Sequence, residues 1–256
     1  MKNQIIKLTN DEYQRYEELL IKKDVLKKEA IQYRHNYIRE FGDLLNKAFE
    51  SKIHCIEKKK IIAYCQKIIN KGGIIDPIAL EDYISNIMKD YYEELREMLE
   101  LSASAKNSLS ISEHTLRKIK KIYYSIAKII HPDMNPKLQK DKTINDLWNR
   151  IVIAYECNNL EELEELQVLV NNYLKSINYE YKEIVIPNIA EKIFKLNDEI
   201  KKIINTDPYQ FKYLLADKEA IKEYKQDIEN EIKDYENYAK ELDEVISKFN
   251  IERKYS

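Results

Sequence analysis

Along most of this chain apolar residues recur at three- and four-residue spacing, the period of a helix with one buried stripe. Thr9 to Glu12, "TNDE", has the form of a capping box and predicts a helix start, with helical periodicity from there to about Asn70. Tyr16, Leu19, Leu26, Tyr33 and Tyr37 mark one seam, and Phe41, Leu45, Phe49, Ile53, Ile56 and Ile61 another. Two helices and one long kinked helix satisfy this pattern equally, because Gly42 alone interrupts it. "NKGGIIDP" then stops one helix and opens the next, with glycines for the C-cap and Pro77 in a first turn. The next helix is expected from about Ala79 to Leu101, and the small polar stretch Ser102 to Ser112 is expected as a linker.

Ser112 is placed to cap a helix running to Ile130, in which Leu116, Ile119, Ile122, Tyr123, Ile126 and Ile130 form one stripe. Helical pattern resumes from about Thr143 to Glu156, with Ile144, Leu147, Trp148, Ile151, Ala154 and Tyr155 on one side. "CNNL" breaks it, and an acidic helix follows from Leu160 to Leu174. Pro187 suits the first turn of another helix, whose Ile189, Ile193, Leu196, Ile200 and Ile203 make a heptad seam. After the turn "NTDPYQF", the last helix repeats Ile221, Ile228, Tyr235, Leu242 and Phe249 every seven residues, with Tyr224, Tyr238 and Val245 between them. These two helices read as an antiparallel coiled-coil hairpin. At ~1.5 Å per residue the last helix is ~50 Å long and its partner only ~29 Å. The seam left over is expected to bury against the N-terminal helices, or against a second copy in a homodimer.

Composition narrows this to an all-α fold. Three glycines and five prolines in 256 residues leave too few turn residues for a β-rich chain. Charged residues at 34% and hydrophobic residues at 44% suit long one-striped helices. A net charge of −2 gives no argument for nucleic acid or anionic membranes, and no run approaches the ~18 apolar residues of a membrane span. The first twenty residues lack the apolar core of a signal peptide, and three unpatterned cysteines suit a reducing cytosol, so a cytoplasmic location is expected. His54, Cys55 and Cys65 lack metal-ligand spacing, and no phosphate-binding, dinucleotide-binding or zinc-protease motif occurs. The expectation is a non-enzyme without cofactor or metal.

The chemistry gathers at "AKIIHPDMNP", Ala127 to Pro136. Arg117, Lys118, Lys120, Lys121 and Lys128 supply the polar side of the helix that enters it, and Pro132 forbids α conformation at His131 and ends that helix. His131 then sits at the negative end of the helix dipole, and Asp133 lands on the turn beyond, held out for a basic partner. "IKKIYYSIAKIIHPDMN" followed by "LWNRIVIAYE" resembles a J domain of the DnaJ family: a basic helix with tyrosine and an Ile-Ala pair, then His-Pro-Asp and Asn, then a helix with an aromatic, Ile and Ala-Tyr. The resemblance covers about Ser112 to Leu174, and the whole chain is similar to coiled-coil J-domain proteins of Firmicutes-type bacteria.

It implies a J-like helical hairpin (112–175) mounted on long coiled-coil arms, with N-terminal coiled-coil helices over 1–75, a connecting helix and linker over 76–111 and a C-terminal hairpin over 176–256. It also implies a co-chaperone that docks on a DnaK-type ATPase, the heat-shock protein 70 class, and stimulates ATP hydrolysis there, with the arms choosing a client. The residues carried over to chaperone binding are His131, Pro132, Asp133, Asn135, Arg117, Lys120, Lys121, Tyr123 and Lys128. Tyr124 and Ser125 stand where the family is usually basic, Ile129 where it usually has lysine, and "DYYEELREML" (Asp90 to Leu99) in place of its first helix. No Gly/Phe-rich segment or zinc repeat follows. The alternative is a coiled-coil scaffold whose J-like unit serves packing only.

Overall fold

The computed structural model describes residues 2–107, 111–179 and 188–249, with side chains from Asp11 onward in the first of these. Every regular element among them is helical: α1 (Lys2–Asn70), α2 (Pro77–Asn107), α3 (Glu113–Ile130), α4 (Lys142–Glu156), α5 (Leu160–Ser176), α6 (Ile189–Asn205), α7 (Phe211–Ala216) and α8 (Lys218–Ser247), with one 3-10 turn at Leu138–Lys140. The protein is all-α. Its chain divides into two compact units, Met1–Gln32 with Leu109–Gln210, and Tyr33–Ser108 with Phe211–Ser256.

The first unit contains α3, α4 and α5, and the sequence sets their ends. Ser112 caps α3 by accepting from the Thr115 amide. Asp141 caps α4 through the Thr143 and Ile144 amides, and Asn159 caps α5 through Glu162. Asparagines in left-handed conformation follow α4 and α5, Asn158 at φ 55° and Asn178 at φ 49°, where a short polar side chain tolerates what a branched one does not. The stripes of the three helices meet in one core in which Ile119, Ile126, Ile130, Ile144, Ile151 and Leu163 are fully buried. Ile21 and Val25 of α1 belong to that same core. A second cluster joins Tyr16 and Leu20 of α1 to Met134 and to Ile193 and Leu196 of α6.

In the second unit, the rest of α1 packs on α2 through Ile53, Cys65, Leu80, Ile84 and Met88, and on α8 through Ala48, Ile228 and Ile232. Tyr37 stacks on Phe211 with centroids 4.1 Å apart, and Tyr224 meets Phe41 edge-on at 5.0 Å.

Several expectations change. The helix does not start at Thr9, since α1 is helical from Lys2 and passes Gly42 as one element of 69 residues. Ser102 to Asn107 is not a linker but the last part of α2. The serine is buried against Gly42, where an added Cβ would stand 2.6 Å from its Oγ. Its hydroxyl donates to the Met98 carbonyl and accepts from Asn46 Nδ2, both at 3.0 Å, so the polar stretch is satisfied within a helix. The remainder of the expected linker through Ser110, and Pro187, lie outside the described residues.

The helices expected to form a C-terminal hairpin fall in different units, and each buries its seam on α1. On α8 the positions at sevenfold spacing hold, but Ile232 and Ile246 join them in place of Tyr238 and Val245, which are exposed. The second position of that heptad thus lies four residues after the first, not three.

Candidate functional site: the His131-Pro132-Asp133 corner

α3 ends where Pro132 requires it, with His131 as its C-cap at φ −57° and ψ 129°. The His131 amide still donates to the Ala127 carbonyl at 3.0 Å, and its own carbonyl accepts from the amides of Met134 (3.0 Å) and Asn135 (2.8 Å). The imidazole closes the turn by accepting the Asp133 amide at Nδ1, 3.1 Å away. That bond leaves the ring's N–H on Nε2, which faces the Asp24 carboxylate of α1 at 3.4 Å. The ring lies edge-on to Trp148 with centroids 5.0 Å apart. Asn135 is buried and ties the far side of the turn down, donating to the Ile129 carbonyl and to the Tyr179 hydroxyl. His131 and Asn135 therefore build the corner from inside, while the Asp133 side chain is exposed.

The polar side of α3 is not simply solvated. Tyr123 is buried, stacked on Tyr155 at 3.9 Å, and donates its hydroxyl to Asp24 at 2.9 Å. Lys120 pairs with Glu29 at 3.2 Å and Lys128 with Glu17 at 3.1 Å. The contacts descend α3 as they ascend α1, so the two helices run antiparallel here. Burial raises Asp24, but hydrogen bonds from His131 and Tyr123, with the nearby Lys23 ammonium, outweigh this and hold its pKa below the ordinary carboxylate value. Tyr123 is pushed well above the ordinary tyrosine value by burial and then by Asp24, so it stays a donor. Tyr16 is raised as well, by burial first and then by the negative charges of Asp133 and Glu199.

Beside the corner lies a cleft of about 270 Å³ walled by Asp24, Lys28, Tyr123, His131, Trp148 and Tyr155. The Lys28 ammonium sits 3.7 Å over the Tyr155 ring and donates to the Tyr155 carbonyl at 2.6 Å. Burial lowers its pKa to about 8. Below pH 8 the lysine is charged in both folded and unfolded chains and the desolvation cost opposes folding. Above ~10.4, the ordinary lysine value, it is neutral in both and that cost is gone. The wild type should therefore gain on a Lys28→Met variant as pH rises from 8 to 10.5, by about 1–2 kcal/mol once solvent screening is allowed for. Urea midpoints of the two proteins across that range would show it, and parallel curves would contradict it.

Of the residues singled out from the sequence, His131, Pro132, Asp133 and Asn135 form one corner. Lys120, Tyr123 and Lys128 face α1. Lys121 is exposed on α3, and Arg117 pairs one turn back with Glu113 at 2.6 Å. The acidic run of α5 is surface, with Glu162 paired to Arg150 of α4. The residues that sequence reasoning missed are Glu17, Asp24, Lys28 and Glu29. Their one signal was the seven-residue step from Glu17 to Asp24, which puts both carboxylates on the α1 side that carries Ile21 and Val25 toward α3.

Among the described residues, no group of three or more His, Cys, Asp or Glu could hold a metal ion, and no helix is long and apolar enough to cross a membrane. Comparison with protein-family models, with curated proteins and with solved structures finds no match to this chain.

Proposed function

We propose that the chain is a J-domain-type co-chaperone that docks on a DnaK-type ATPase in the cytoplasm and stimulates its ATP hydrolysis. In this reading the J-like hairpin is α3 and α4, and the long helices of the second unit select a client or partner. The carrying observation is the corner itself: a buried His131 and Asn135 hydrogen-bond the turn from which Asp133 projects into solvent. The α3 and α4 stripes flanking it resemble the pattern of the family, and among the described residues no packing contact calls for an aspartate at 133.

A second reading has its own observation. Lys120, Tyr123, Lys128 and His131 all bond to α1, so the J-like helices also serve as the bed on which α1 lies. A scaffold would use them for that alone.

Steady-state ATP hydrolysis by a bacterial DnaK-type chaperone separates the two. The co-chaperone reading expects stimulation by the wild type that falls at least tenfold in Asp133→Asn, with thermal unfolding unchanged because the side chain is exposed. His131→Gln should lose stimulation and also some stability, since it serves both the turn and Asp24. No stimulation by either protein would give the scaffold reading the lead, and equal stimulation by both would take Asp133 out of the docking contact.

A further inference from the structure

Much of the docking face that the co-chaperone reading assigns to α3 and the corner is already engaged within the chain. Glu17, Asp24 and Glu29 of α1 meet Lys128, Tyr123 with His131, and Lys120 of α3, the same side chains an acidic docking partner would engage. The cover is held by more than charge. Ile21 is completely buried and Val25 nearly so in the core of the α3–α5 unit, and Tyr16 and Leu20 are buried against Met134 of the corner turn. Exposed pairs such as Lys120–Glu29 contribute little and fix register, whereas the four apolar side chains bind the segment tightly. Three groups assigned to docking remain outside the cover: Arg117 and Lys121 on α3, and Asp133, exposed next to Met134, which packs on Tyr16.

We propose that residues 13–30 of α1 are a gate, an internal occupant of the docking face whose carboxylates stand in for those of the partner, and that productive docking requires this segment to leave α3. This rests on the co-chaperone reading and adds its regulation. Asp133 gives a partner its first contact with the gate closed, and the partner then competes with Glu17, Asp24 and Glu29 for Lys128, Tyr123 and Lys120. Anything that draws α1 away, such as a client bound along the arm that α1 continues into, raises the chaperone's ATPase rate.

The test fixes the gate shut reversibly. In the full chain carrying Lys27→Cys, Glu156→Cys and Cys157→Ser, a short reducible bis-methanethiosulfonate linker bridges two exposed positions that wall the same cleft, one on α1 and one on α4, neither of them assigned to docking. The wild type and both states of this variant are added to a bacterial DnaK-type ATPase. The proposal expects the bridged protein to stimulate at least tenfold less than the same protein after reduction. It also expects amides of residues 13–30 in the wild type to exchange faster with the chaperone present. Equal stimulation by bridged and reduced protein overturns the gate and leaves the co-chaperone reading standing. No stimulation by the wild type or by either state overturns the co-chaperone reading, and the gate falls with it.

Discussion

Trp148→Ala is expected to lower the unfolding free energy by about 3–5 kcal/mol, the range for removing a buried tryptophan side chain. Trp148 is the one tryptophan of the chain, 8% exposed, and it touches both halves of the corner: edge-on to His131 and tilted at 5.9 Å to Tyr123. Its indole also walls the 270 Å³ cleft, so truncation opens that cleft further instead of allowing collapse onto it. The loss should not be confined to stability. With the ring gone, the imidazole has less to hold it against the Asp133 amide, and that amide should exchange faster in the variant. Trp148→Phe keeps an aromatic edge and should cost less than half as much. Urea unfolding followed by far-ultraviolet circular dichroism, with amide exchange at Asp133, decides this. A loss below 1 kcal/mol for the alanine variant would mean that the corner does not depend on α4.

The corner was legible from sequence because what builds it is local. Pro132 ends α3, Ser112 starts it, and the stripes of α3 and α4 lie within forty residues of each other, so period and punctuation suffice. The end of α4 was legible for the same reason, Asn158 and Asn159 supplying the left-handed turn and the next cap. What was not legible depends on register between segments about a hundred residues apart. Charged positions such as Glu17, Asp24 and Glu29 read as a solvated face in α1 alone and become partners only when α3 is laid antiparallel on them. The linker expected at Ser102 failed because small polar residues signal a loop by composition, and here serve close helix approach at Gly42. The α6–α8 hairpin was expected because two heptad seams adjacent in sequence look like partners, whereas the two helices fall in different units and each seam buries on α1. A seam gives the face a helix buries and says nothing about which helix covers it.

That distinction gives the other large prediction. From sequence, the α1 seam through Tyr16 runs by way of Leu19, but the structure leaves Leu19 half-buried and sends Ile21 into the α3–α5 core with no exposed surface. Ile21→Ala should therefore cost about 3–5 kcal/mol, as the transfer of a full isoleucine side chain plus the cavity it leaves among Tyr123, Ile126 and their neighbours. Leu19→Ala removes a side chain of the same volume two residues away and should cost under half of that, because water already reaches it. The difference between two near-isosteric truncations two residues apart is insensitive to helix propensity, which changes in the same sense in both. It reports the rotational setting of α1 on α3, and the same setting aims Asp24 at His131 and Tyr123. Equal losses, measured by urea unfolding of the two variants, would turn α1 about its axis and take Asp24 off the corner. A large loss for Ile21→Ala alone would fix the register on which every ion pair between α1 and α3 depends.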